Sequence, residues 1–210
     1  MRVANEISDT ILFTEHHNTY TIGKSGGDDH LLADDVELHH KGVSVFKTDR
    51  GGDITYHGPG QLVCYPILDL NGYYLDVRRY LRDLEEVIIK TLAHYDISAR
   101  RDPEFTGVWV GNEKICAMGV KVSRWVTMHG FAFNVNTDLS FFGRIIPCGI
   151  FHKGVTSLSE LLGETQDMEE VMENVAANIA EVFGVEIQMM PSSLLFEKCH
   201  KVMENEHAST

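Results

Sequence analysis

A chain of 210 residues, 43% hydrophobic and 23% charged, has the composition of one ordinary folded domain with enough apolar mass for its own core. Lys and Arg number 18 against 31 Asp and Glu, and the formal net charge of −13 argues against general nucleic-acid binding, which needs cations to neutralise phosphate. Four scattered cysteines (Cys64, Cys116, Cys148, Cys199) form no CxxC pair, the N-terminus has no signal-like apolar stretch, and no run reaches membrane-spanning length, so a cytoplasmic protein with no membrane partner is expected.

Residues 10–22 read as two short strands around a polar turn, and 23–30 as a flexible loop. Residues 43–47 alternate like a strand and run into a glycine-rich loop over 50–61, after which 62–70 form an apolar strand. The strongest helical signal covers 73–95, where Val77, Leu81, Leu84, Ile88, Leu92 and Tyr95 recur at spacings of three and four. Residues 107–135 read as a three-stranded meander that turns at Gly111-Asn112 and at Ser123-Arg124. Residues 136–156 lack periodicity, and a loop this long inside a compact domain is often functional. Ser157 and Glu160 form a capping box for a short helix ending at Leu162. A second clear helix covers 167–183, a last short strand 185–189, and the polar tail 191–210 is expected to fray. The order predicts a single α+β domain over 1–210.

Three constellations can carry chemistry. In Arg50-Gly51-Gly52-Asp53-Ile54-Thr55-Tyr56-His57-Gly58-Pro59-Gly60-Gln61 the glycines exceed what one turn needs, and a pocket wall explains them better than a turn. Cys148 sits between Pro147 and Gly149 within the long loop, the exposed and preorganised perch a nucleophile requires. A lone cysteine is more often a small buried hydrophobe, and that reading suits Cys64 and Cys116 inside strand patterns. Lys114 opens the strand pattern Lys114-Ile115-Cys116-Ala117-Met118-Gly119. Strict alternation would set it on the same sheet face as Cys116. A lysine there is ordinarily a surface charge, and it gains interest only beside a thiol whose proton it could loosen. His57 and His129, each next to glycine, are the candidate bases; His16-His17 and His39-His40 are adjacent pairs that chelate poorly, so no metal site is expected.

Together these segments resemble the lipoyl(octanoyl) transferase family, within the wider biotin/lipoate protein ligase fold. RGGDITYHGPGQLVCYPILDL, KICAMGVKVSRWVTMHGFAFNVNTDL and the PCGI–KGVTSL segment follow in that family's order over roughly residues 10–183. At the front little precedes Ile11, where family members usually begin with a helix. The resemblance implies a mixed, largely antiparallel central sheet flanked by helices. It implies Cys148 as the acyl-thioester nucleophile and Lys114 as the lysine that lowers its pKa. Residues Arg50 to His57, Ala117, Met118 and Gly119, and Gly130, Phe131 and Ala132 correspond to the segments that line the acyl pocket.

By the same resemblance octanoyl arrives on acyl carrier protein, passes to Cys148, and is taken by a lysine of a lipoyl domain, as in 2-oxoacid dehydrogenase E2 subunits and the glycine cleavage H protein. Thioester exchange is nearly isoenergetic and conversion to an amide runs downhill, so neither ATP nor any other cofactor is required. Oligomerisation is not implied, and a monomer is expected. A lipoate– or biotin–protein ligase, which activates a free acid with ATP, has no need of Cys148; nor has a non-catalytic acyl-binding module. An acidic carrier protein would need a local basic patch on this acidic chain, drawn from Arg78, Arg79, Arg82, Arg100, Arg101, Lys121 and Arg124.

Overall fold

The structure, a computed structural model, describes residues 2–146 and 153–208. In chain order the strands and helices are β1 (Thr10–Thr14), β2 (Thr19–Ile22), α1 (Asp35–His40), β3 (Ser44–Lys47), β4 (Ile54–His57), β5 (Gln61–Ile67), α2 (Val77–Ala93), β6 (Arg100–Arg101), β7 (Val108–Val110), β8 (Glu113–Ser123), β9 (Val126–Asn134), β10 (Gly154–Val155), α3 (Leu158–Leu162), α4 (Met168–Phe183) and α5 (Ser192–Ala208). The mixed, largely antiparallel sheet flanked by helices is present.

The larger sheet runs β1-β5-β9-β8-β7-β6, with every neighbouring pair antiparallel, and β10 adds in parallel to the start of β8. A smaller sheet, β3-β2-β4, pairs β2 with β3 in parallel and with β4 antiparallel. The expected meander is therefore present as β7, β8 and β9.

One face of the large sheet is covered by α2 and α4. Leu62, Cys64, Cys116, Phe131 and Phe133 from the sheet pack there with Tyr80, Leu84, Val87, Ile88 and Leu92 of α2 and Val171, Val175 and Ile179 of α4. The spacings of three and four in both helices put these residues on one stripe. Tyr20, Ile22, Leu38, Ile54, Tyr56 and Ile145 make a separate core under the small sheet.

Helix α2 begins at Val77, later than the hydrophobic pattern suggests. Residues 70–72 form a separate single turn, and the Asp76 carboxylate accepts from the Arg78 and Arg79 N–H groups, which fixes the true start. Ser157 caps α3 as expected, but the Glu160 side chain turns to the Thr156 hydroxyl (3.1 Å).

Two expectations change, and elements are added elsewhere. Residues 54–57, read as loop, are strand β4, and residues 35–40 add a helix. Residues 185–189 have strand-like alternation but no strand: Ile187 packs on the core, so the pattern records one-sided burial without a pairing edge. Residues Ser192–Ala208, within the polar tail, form the helix α5, whose Leu194 and Phe196 are exposed. At the front, residues 2–4 form a single turn, and Arg2 binds Asp9 (2.6 Å) and Asp69 (3.3 Å).

One buried charge ties α2 to the sheet. Glu85, fully buried, accepts from the Gly107 N–H (3.0 Å) and from Arg82 (2.7 Å), and lies 3.3 Å from the Arg101 Nε. Removing one partner of such a group strands the others in low dielectric. Glu85→Ala is expected to lower unfolding free energy by about 3 kcal/mol; urea denaturation measures it, and a loss under about 1 kcal/mol would show that the network is not buried as described.

Candidate active site

A cavity of about 590 Å³ lies between the two sheets. Of the residues expected to line it, Arg50, Gly51, Gly52, Asp53, Ile54, Thr55, His57, Lys114, Ala117, Met118, Gly119, Gly130, Phe131 and Ala132 do so. Tyr56 does not. Because 54–57 is a strand, Tyr56 points opposite to Thr55 and His57, into the small-sheet core, where its ring stacks on Phe141 (4.7 Å) and its hydroxyl donates to Asn18 (2.8 Å). Cys148 lies outside the described residues.

Lys114 reaches the cavity through an irregularity in strand pairing. Trp109 pairs with Lys114 and Val108 with Cys116, so Ile115 is an extra residue on β8. Such a bulge reverses the inside–outside alternation on one side of itself. Cys116 consequently faces the helices, while Lys114 shares the cavity face with Ala117 and Gly119. The expectation that Lys114 and Cys116 share a face is corrected by this one residue. The Lys114 ammonium lies 4.8 Å from the centre of the Trp109 ring, whose π-face attracts a cation. On its other side Lys114 pairs with Val155 of β10, and its carbonyl accepts from the Thr156 N–H (3.1 Å).

The glycines opposite each other on β8 and β9, Gly119 and Gly130, serve backbone packing. A Cβ on Gly119 would sit 2.5 Å from the Gly51 carbonyl oxygen, and one on Gly130 would collide with the Cys64 carbonyl and the Pro66 ring. Their neighbours Ala117 and Ala132 are the small residues that leave room in the cavity.

His57 is fixed in a chain of hydrogen bonds whose directions can be worked out. The Gln61 amide N–H₂ donates to the Tyr56 carbonyl (3.1 Å) and to Asn134 Oδ1 (2.9 Å), so its oxygen accepts from His57 Nδ1 (2.9 Å). His57 Nε2 then accepts from the Thr21 hydroxyl (3.1 Å), which itself accepts from Arg50 (2.9 Å). Asn134 passes the chain on to the Thr156 carbonyl (3.0 Å). Burial pushes the His57 pKa down to about 4, against the Gln61 hydrogen bond, which raises it, and the charge of Arg50 nearby adds to the fall. A neutral ring with both nitrogens occupied is not a general base. Arg50 likewise holds Thr21 (2.6 Å to its carbonyl) while lining the cavity. His129, the other candidate base, gives its Nε2 to Asp49 (2.7 Å), which Lys121 (2.5 Å) and His129 together hold down to about 2.

Further contacts at the site escape the sequence reading. Lys153 bonds Asp102 (2.5 Å) and lies over Trp109 (4.5 Å) and Phe105 (4.7 Å). Asp102 also accepts from the Glu104 and Phe105 N–H groups, which shapes the turn that brings Phe105 to the cavity, and its pKa is held far down, first by Lys153. The Asp53 carboxylate, in the glycine segment, pairs with His30 (2.6 Å), raising that imidazole's pKa. The His30 carbonyl in turn accepts from the Ile146 N–H (2.9 Å). Only tertiary pairing joins these residues; nothing in their spacing announces it.

The family model for the lipoyl protein ligase A/B catalytic domain matches residues 1–180. An octanoyltransferase of Desulforamulus reducens is 48% identical over 198 residues, 94% of this chain and 87% of the relative. One of Christiangramia forsetii is 53% identical over 183 residues, 84% of this chain and 78% of the relative. Among solved structures, lipoate-protein ligase A bound with ATP superposes with a TM-score of 0.74 at 16% identity, covering 87% of this chain and 75% of that one. A lipoate protein ligase from T. acidophilum gives 0.72 at 15% identity, covering 89% and 78%.

The state of His57 can be read directly. Nitrogen-detected NMR is expected to find it neutral, protonated on Nδ1, from pH ~5 to ~8. The unfolded chain, at the ordinary 6.5, takes up the proton first, so the stability contributed by neutral His57 is lost as pH falls from 6.5 toward about 4. A ring that titrates near 6.5 in the folded protein would contradict the bond assignment.

Proposed function

Because the chain belongs to the lipoyl protein ligase A/B catalytic domain family, we propose that it transfers an octanoyl group to a lysine of a lipoyl domain through a thioester on Cys148. The observation that carries the reading is Lys114: a bulge turns its ammonium into a cavity floored by the methyl groups of Ala117 and Ala132. A cation at the end of an acyl-sized space is where a thiolate and a carbonyl oxygen would be stabilised. Cys148 precedes Lys153 by five residues, and Lys153 lies on the cavity wall two residues before Val155 pairs with Lys114, which supports placing the nucleophile's action here.

In the proposed reaction the Cys148 thiolate attacks the thioester carbonyl of octanoyl-acyl carrier protein, and the carrier thiol leaves with the proton. The acceptor lysine amine then attacks the Cys148 thioester; the C–N bond forms, the C–S bond breaks, and the amine proton goes to Lys114 or to solvent. Charged Lys114 favours the thiolate, and neutral Lys114 takes the proton. His57 has no part in proton transfer. Acceptors of this class are the lipoyl domains of 2-oxoacid dehydrogenase E2 subunits and the glycine cleavage H protein, and the enzyme acts as a monomer. No described helix is long and apolar enough to cross a membrane.

Most of the arginines and lysines proposed to receive an acidic carrier have internal partners. Arg82 and Arg101 hold Glu85, Lys121 holds Asp49, and Arg79 lies over Tyr74 (4.1 Å). Arg78 and Arg124 are exposed and carry the docking role in this reading, so reversing Arg101 would test folding more than binding.

Intact-mass spectrometry after mixing with octanoyl-acyl carrier protein tests the reading. An octanoyl adduct on wild type that is absent from Cys148→Ser is expected. No adduct on wild type would leave a non-catalytic acyl-binding module, and lipoyl-domain modification from free acid and ATP without a carrier donor would make the protein a ligase.

A further inference from the structure

Strand registers define where an acyl chain can lie. Ala117 of β8 pairs with Ala132 of β9, which pairs with Val63 of β5, so the three form one row across the sheet on its cavity face. The rows on either side are narrowed by protein. Gly119 and Gly130 lie under the Gly51 carbonyl and against the β5 backbone. On the other side Gln61 and Asn134 are paired with each other and buried. Two methyl groups followed by a branched side chain are thus the floor of the open groove.

We infer that Val63 is the ruler that sets the length of the acyl chain this enzyme transfers. The row spans two strand spacings, about 10 Å. A saturated chain with carbon–carbon bonds of about 1.5 Å in zigzag covers roughly 9 Å over eight carbons. Val63, 1% exposed, ends the row with a step that Ala117 and Ala132 lack. It cannot yield sideways. Thr14 of the edge strand pairs with it, and Tyr65, the next cavity-facing residue on β5, is anchored by His16 (2.6 Å). His16 in turn packs its ring on that of His57 (5.7 Å). Both ends of the segment that carries Val63 are therefore braced by hydrogen-bonded rings.

This inference rests on the acyl-transfer reading. It is tested by competition between hexanoyl-, octanoyl-, decanoyl- and dodecanoyl-acyl carrier protein for transfer to a lipoyl domain. Val63→Ala is expected to raise the decanoyl-to-octanoyl ratio of kcat/KM at least about 10-fold, the discrimination a methylene gives in an apolar pocket. Val63→Leu is expected to move preference toward hexanoyl, and Ala132→Val, a step placed mid-row, to do so more strongly. Unchanged length profiles in folded Val63→Ala and Val63→Leu, with wild type transferring octanoyl, would overturn the ruler. A wild type that transfers no acyl group from any donor would overturn the functional reading instead.

Discussion

The extra residue at Ile115 is the constraint on which the site depends. With strict alternation, Lys114 would share a face with Cys116, among Val108, Phe133 and the helix residues of the main core. An unpaired ammonium there would cost several kcal/mol. The bulge reverses the parity in one step, so Cys116 stays in the core and Lys114 enters the cavity. Its surroundings accommodate the change. Gly107 lets its backbone meet that of β8, since a Cβ there would lie 2.6 Å from the Cys116 carbonyl oxygen, and Glu85 holds Gly107 in place through the backbone N–H. Trp109 offers its π-face to both Lys114 and Lys153.

The small residues of the signature divide into two kinds. Gly119 and Gly130 let backbone meet backbone, which draws the glycine segment of 50–52 down onto β8 and brings β5 against β9. Ala117 and Ala132 leave the volume that a ligand can occupy. The ring of hydrogen bonds from Arg50 through Thr21, His57, Gln61 and Asn134 to Thr156 links the same segment to the strand beside Lys114. That chain consumes the acid–base capacity of His57, and in the proposed reaction Lys114 supplies it.

Much of this was legible in the sequence, where chemistry is concentrated locally. The glycine segment, the Lys114 strand and the order of the motifs led to the cavity lining with Tyr56 as the exception, and a capping residue located α3. What escaped depends on pairing between distant segments. A bulge has no local mark, so period-two counting placed Lys114 on the wrong face. Tyr56 was misplaced because a four-residue strand is hidden between glycines. Residues 185–189 alternate because one side is buried, a pattern that a strand and an unpaired segment share. Lys153 and Val63 escape such a reading because nothing next to them in the chain is what they touch, and Asp102 because the Lys153 that it binds lies 51 residues on.

The central claim is that Lys114 works on Cys148 across the cavity. The pH dependence of Cys148 alkylation by iodoacetamide tests it most directly, in a Cys199→Ser background because Cys64 and Cys116 are buried. The account predicts a midpoint in the wild-type site well below the ordinary thiol value of about 8.5, moving up toward that value in Lys114→Met. The same midpoint with and without the lysine would contradict it.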